Sequence, residues 1–155
     1  MAVVLQSGIL SPSGSSSLDA TEALQKLNSW AAAINAHDAQ TAIDYTTLHF
    51  LEPTENNTLM TYYFYYIFSN QSLVFTTTDI RAYDAASMSP GQKARAEEIV
   101  ENITDQSRET HIDEIITGYV LILGSMSFSG MEDLPVIDEL VAVKIGSSWY
   151  MVLGS

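Results

Sequence analysis

The amino-acid sequence predicts an α+β fold: N-terminal helices packed on a mostly antiparallel four-stranded sheet, with one helix inserted between the first two strands. Three observations carry this. The run from Glu109 to Leu153 reads as three consecutive strands. Ahead of it stand three segments with apolar residues at helical spacing, followed by a strand from Leu73 to Tyr83. A further helical segment, Pro90 to Gln106, separates that strand from the other three. The order α-α-α-β-α-β-β-β sets an amphipathic layer before a mostly antiparallel sheet.

Each element has its own signal. Ser17 or Asp19 suits the cap of the first helix, in which Leu24, Leu27, Trp30, Ala31 and Ile34 form an apolar stripe. Asn35-Ala36-His37-Asp38 breaks that pattern, and Asp38 suits the cap of a shorter second helix through Ala42, Ile43, Tyr45 and Leu48. The block from Thr54 to Asn70 has strand composition in Tyr62-Tyr63-Phe64-Tyr65-Tyr66-Ile67-Phe68. Its length exceeds the usual strand, and Leu59, Tyr62 or Tyr63, Tyr66 and Ile67 recur at helical spacing, so a helix is predicted. Leu73 to Tyr83 alternates as a strand does. In the inserted helix Ala94, Ala96, Ile99, Val100 and Ile103 make the apolar stripe, and Glu97, Glu98 and Glu101 the wet side.

The three C-terminal strands are Ile112 to Phe128, Val136 to Ile145 and Trp149 to Leu153, the last two joined by a short Gly146-Ser147-Ser148 link. From Ile115 to Leu123 the first of them is apolar at odd and even positions alike. A strand with one wet face alternates, so this one is predicted to be covered on both sides: by helices on one, and by something else, such as a second subunit, on the other.

The chain has 155 residues, the size of one domain, with residues 1–17 read as a Ser-rich tether and 18–155 as the domain. Hydrophobic residues make up 46%, too many for disorder. With 19 acids against 6 bases the net charge is −13. No cluster of Lys and Arg is present to neutralise phosphate, which argues against nucleic acid and anionic membranes as partners. No apolar run reaches the roughly 20 residues of a membrane span. The absence of cysteine removes disulfides, thiolate catalysis and Cys-type zinc sites.

Two stretches carry a family resemblance. Leu27-Asn28-Ser29-Trp30-Ala31-Ala32-Ala33-Ile34-Asn35-Ala36-His37-Asp38-Ala39 resembles the opening helix of the NTF2-like, or cystatin-like, superfamily. Glu139-Leu140-Val141-Ala142-Val143-Lys144-Ile145-Gly146-Ser147-Ser148-Trp149-Tyr150-Met151-Val152 resembles its closing hairpin. Leu59 to Ala82 is similar to a helix-then-strand unit of small exported or lipid-anchored bacterial members, whereas the helix from Pro90 to Gln106 departs from the compact pattern. The resemblance implies a cone, with a curved sheet wrapped around a long helix, a pocket at its wide end, and dimers through the sheet face. It selects no activity, since members include polyketide cyclases, ketosteroid isomerases, dehydratases, transport factors and domains without enzyme activity.

Candidate site residues fall into three groups. Asp44, Tyr45, Leu48 and His49 share part of one helical face, as an acid–base site or as the polar rim of a pocket. His111 and Asp113 share a parity with Glu109 and Tyr119, either as a proton-transfer pair or as a wet strand end. The tyrosines from Tyr62 to Tyr66 are too many for one core; some line a pocket, face a partner or lie exposed. Glu132, Asp133, Asp138 and Glu139 lack the spacing of a calcium loop. Asn56, Asn70 and Asn102 stand in Asn-x-Ser/Thr sequons.

The sequence thus leads to an expected non-catalytic, extracytoplasmic domain that takes a small apolar or aromatic ligand, or a protein partner, through a pocket or its sheet face. Tyr45, His49, Tyr62, Tyr66 and Tyr119 are the expected pocket residues, with no cofactor and no metal, and a homodimer forms through the sheet. One alternative is a cyclase, isomerase or dehydratase using Asp44 or Asp113 as base, with His49 and His111 beside them. The other is a self-assembling structural subunit.

Overall fold

Helix α1, Gly14–Asn35, is the axis of the molecule. Ala23, Leu27, Trp30, Ala33 and Ile34 are buried, three or four residues apart along one side. The helix begins at Gly14, ahead of Ser17 and Asp19, which were expected to cap it. It ends with His37 in the left-handed region at φ 60°. The amides of His37 and Asp38 turn back to the carbonyls of Ile34 and Ala33 at 3.0 Å each, closing the helix with a Schellman pair. The computed structural model describes residues 14–50, 55–106, 115–132, 134 and 136–153.

Asp38 caps α2, Ala39–Asp44, by accepting from the Thr41 amide at 3.2 Å and the Thr41 hydroxyl at 2.8 Å. The expected continuation of this helix through Leu48 does not occur. Thr46 bends the chain by donating its hydroxyl to the Ile43 carbonyl at 2.7 Å, and a separate 3-10 turn follows at Thr47–Phe50. Thr47 Oγ1 both donates to the Leu153 carbonyl and accepts from its amide, strapping the last described residues to this turn.

Helix α3, Glu55–Ser69, follows, and then come β1, Val74–Asp84, and the inserted helix α4, Pro90–Gln106. Strands β2, Ile116–Ser129, β3, Ile137–Ile145, and β4, Ser148–Met151, complete the sheet. Its order is β1-β2-β3-β4, antiparallel throughout. The β3–β4 hairpin turns through Gly146, whose φ of 65° suits the first position of a II′ turn.

The curvature has a local cause. Pairing of β1 with β2 slips between Thr78 and Arg81, and pairing of β2 with β3 slips between Leu123 and Met126. Gly124 lies between them at φ 152°, where a Cβ would stand 2.6 Å from Ile80 Cδ1 and 2.9 Å from the Asp79 carbonyl. Bulges bend a strand and raise its twist, and two at one level bend the whole sheet. The free edge of β1 is capped from the end of α1: Asn35 accepts from the Phe75 amide at 2.8 Å and donates to the Phe75 carbonyl at 3.0 Å.

The sheet has two covered faces. Val120, Ile122, Met126, Leu140, Ala142, Trp149 and Met151 pack with Leu27, Trp30, Ile34 and Phe68 on the α1 side. Trp30 stands edge-on to Phe68 and Phe75, and its Nε1 donates to the Ala42 carbonyl at 3.0 Å. On the other side Leu121, Val141 and Val143 pack with Ala96 and Ile99 of α4. The two-sided apolar pattern of β2 is therefore satisfied within the chain, and α4 sits where a second subunit was considered. Beyond α4 the same outer face is mostly polar, with Thr76 and Ser127 bonded hydroxyl to hydroxyl at 3.0 Å, Thr78 and Ser125 exposed, and Val74 the exposed apolar residue at its end. The architecture is α+β and compatible with a cone. Among the described residues, no helix is long and apolar enough to cross a membrane.

Candidate functional site

Two apolar stripes compete along α3. One holds Met60, Phe64, Ile67 and Phe68; the other holds Leu59, Tyr62, Tyr63 and Tyr66. The first faces inward: Ile67 and Phe68 are buried, and Met60 and Phe64 pack against them and the α1 core. Phe64 lies over Phe68 with ring centroids 5.9 Å apart. The second stripe faces outward; of the residues whose spacing predicted the helix, Ile67 lies on the inward side. Leu59 is 60% exposed, Tyr62 69%, Tyr63 55%, Tyr66 63%, and Tyr65 beside them 45%. A phenol tolerates water at its hydroxyl whereas Phe and Ile do not, so the Phe-Ile stripe takes the core.

The result is an aromatic ridge at positions i, i+3, i+4 and i+7, centred on the helix. Glu55 is the one charged residue among the 15 of α3. Tyrosine enrichment with charge depletion is the composition of a protein interface core, and a helix apolar on both sides needs a second cover. The ridge is the part of the described surface best suited to binding.

The expected pocket residues do not converge. Tyr62 and Tyr66 belong to the ridge. Tyr45 packs on the α1-side core, with Lys26 Nζ 4.1 Å from its ring centroid. Burial holds the Lys26 ammonium below the usual lysine range, so this cation–π contact is made by a partly desolvated cation. Tyr119 is on the opposite, α4-facing side of the sheet and donates its hydroxyl to Glu97 Oε2 at 3.1 Å. Its phenol is pushed above the usual tyrosine range, first by burial and then by the Glu97 carboxylate.

His49 sits on the 3-10 turn rather than on the helix of Asp44, with Nδ1 3.9 Å from Asp44 Oδ1. Both side chains are open to water, at 55% and 47%. Asp44 also accepts from Gln40 Nε2 at 3.0 Å. This pair has little of the water exclusion on which proton transfer beside a carbonyl relies. His111 and Asp113 lie outside the described residues, as do Glu109 and Asp133. Of the other acids weighed for calcium, Glu139 is taken by Arg95 at 2.6 Å. Among the described residues, no group of three His, Asp or Glu side chains is placed to hold a metal ion.

The ridge was partly legible. Tyr62 and Tyr66 were among the expected pocket residues, and the sequence left open which tyrosines from Tyr62 to Tyr66 line a pocket, face a partner or lie exposed; the signal for the outward side was a rival stripe of Met60, Phe64, Ile67 and Phe68 one residue along. Comparison with family models, with characterised proteins and with solved structures finds no match to this chain.

Proposed function

We propose that this chain is a non-catalytic, extracytoplasmic binding domain. Its α3 ridge takes a small apolar or aromatic ligand, or the apolar surface of a protein partner. The single observation that carries the reading is the outward aromatic stripe on a helix whose inward stripe already satisfies the core. The sheet face is a weaker candidate for the same role, because most of its apolar part is under α4 and its open part is lined mainly by Ser and Thr, with Val74 alone among them apolar. The half-exposed Asp44 and His49 lend no support to the enzymatic alternative, which is left to rest on His111 and Asp113.

A thermal-shift series with apolar and aromatic compounds tests the proposal, run on the native chain and on a Tyr62→Ser, Tyr66→Ser double variant. Ligand-dependent stabilisation that the double variant loses supports it. Turnover of a ketosteroid or polyketide-like substrate that disappears in His111→Ala or Asp113→Ala overturns it.

A further inference from the structure

We infer that the partner that covers the ridge is a second copy of this chain, with the two α3 helices running antiparallel across a two-fold axis between Tyr62 and Tyr63. The inference rests on the ridge being a binding surface, and goes beyond it by naming the occupant and the register.

Symmetry is the first argument. A two-fold interface is isologous, so the same patch must complement itself when rotated. Leu59, Tyr62, Tyr63 and Tyr66 are symmetric about the point between residues 62 and 63, half a residue from Tyr62, the middle of Glu55–Ser69. Rotation about that point sets Leu59 against Tyr66 of the other copy and Tyr62 against its Tyr63. Aliphatic meets aromatic at both ends, and aromatic meets aromatic in the middle.

Charge is the second. Two chains of net charge −13 repel, so an interface is favoured where carboxylates are few. In α3 the sole carboxylate is Glu55, in the first turn. An antiparallel pairing holds the two Glu55 side chains ~22 Å apart along the helix axis, far beyond a Debye length of about 8 Å. A parallel pairing brings them side by side. Under the antiparallel register Glu55 stands opposite Asn70, a neutral hydrogen-bonding residue.

Area is the third. With about 200 Å² for a fully presented tyrosine, the exposed fractions of Leu59, Tyr62, Tyr63 and Tyr66 amount to roughly 470 Å² per copy. Two copies present roughly 900 Å² of ridge to each other, close to the area of about 1,000 Å² that a specific interface clears.

Sedimentation velocity across micromolar concentrations tests the inference. The native chain is expected to dimerise. Tyr63→Lys and Tyr63→Glu each place two like charges near the axis, and each is expected to weaken the dimer at least ~30-fold, as loss of a hot spot does. An equimolar mixture of the two variants is expected to recover it. Tyr63 is exposed, so both variants should keep the native far-ultraviolet circular dichroism.

Cross-linking reads the register in a chain that has no cysteine of its own. Leu59→Cys and Tyr66→Cys are expected to link to each other through a short thiol cross-linker when mixed, and neither with itself. Self-linking of Leu59→Cys means a parallel pair and overturns the register. A dimer indifferent to both Tyr63 substitutions overturns the interface. A native chain that stays monomeric overturns the second copy as occupant. If such a monomer still shows the Tyr62- and Tyr66-dependent ligand shift, the binding reading stands alone with a different occupant; if it shows none, both fall.

Discussion

Helices α3 and α4 do the same structural work with opposite outward chemistry. Each lays one apolar stripe on a core: Phe64, Ile67 and Phe68 on the α1 side, Ala96 and Ile99 on the outer sheet face. On their other sides they diverge. Arg95 of α4 bridges Glu98 and Glu139, and Lys93, Glu97 and Glu101 stand in water beside it. The outward side of α3 is a tyrosine ridge with Glu55 at its far end. The difference teaches where solvent belongs. A charged outer side repels association in an already acidic chain, whereas a neutral aromatic one invites it.

The largest effect that sharpens this comparison is expected from the inward stripe of α3. Phe68 is buried against Trp30 and Phe64. Phe68→Ala is expected to lower stability by about 3–5 kcal/mol, from lost transfer energy plus the cavity left behind. Tyr62→Ala, seven-tenths exposed and one and two-thirds turns away, is expected to change the stability of the isolated chain by no more than about 0.5 kcal/mol. Denaturant unfolding at a concentration where the protein is monomeric measures both. Comparable losses from the two variants break the assignment of inward and outward sides.

The corresponding test on α4 is Ile99→Ala. Ile99 retains 9% exposure and packs on the outer face with Leu121, Val141 and Val143. A loss of about 2 kcal/mol is expected, at the lower end for such truncations because the helix edge can relax inward. If α4 only rests on the sheet without sealing it, Ile99→Ala costs no more than a surface substitution, and the outer face reopens as an interface.

How much of this the amino-acid sequence carried differs between the two helices. The stripe of α1 was legible because Leu27, Trp30 and Ile34 repeat at one spacing, with no competitor one residue along. The bounds of α4 were legible because Pro90 marks its start. The two-sided burial of β2 was legible too, from Ile115 to Leu123; what covered the second side was not. Local periodicity reports that a residue is buried and says nothing about which distant element buries it.

In α3 the helix was legible and the side that faces out was left open. Both stripes are rich in large side chains, and the hydroxyls of Tyr62, Tyr63 and Tyr66 are the main difference between them. The candidate site was harder still. Counting alternate residues along β2 places Tyr119 with positions before Ile116, but pairing slips between Ile116 and Gly118, so parity does not carry across that point. The end of α2 was misread for a related reason: Thr46 offered its hydroxyl to the Ile43 carbonyl and turned the chain, taking His49 off the face of Asp44.

The smallest effect concerns the hydrogen bond that Tyr119 of the sheet donates to Glu97 of α4. Tyr119 reaches across to Glu97, and its phenol is held above the usual tyrosine range by burial and by that carboxylate. A folded-state pKa raised above the unfolded value means that the protonated phenol is favoured by folding. Its contribution is complete below the unfolded tyrosine pKa of about 10 and is lost as pH rises through the folded value. Tyr119→Phe removes the hydrogen bond, and because the pair lies at the surface the cost near neutral pH is expected to stay below about 1 kcal/mol. The sharper readout is the alkaline limb. The native chain is expected to lose stability relative to Tyr119→Phe above pH 10, and the two curves to run parallel below it. Parallel curves throughout mean that Tyr119 and Glu97 do not meet in solution, and that α4 is held to the sheet by its other contacts, the packing of Ala96 and Ile99 and the Arg95–Glu139 ion pair.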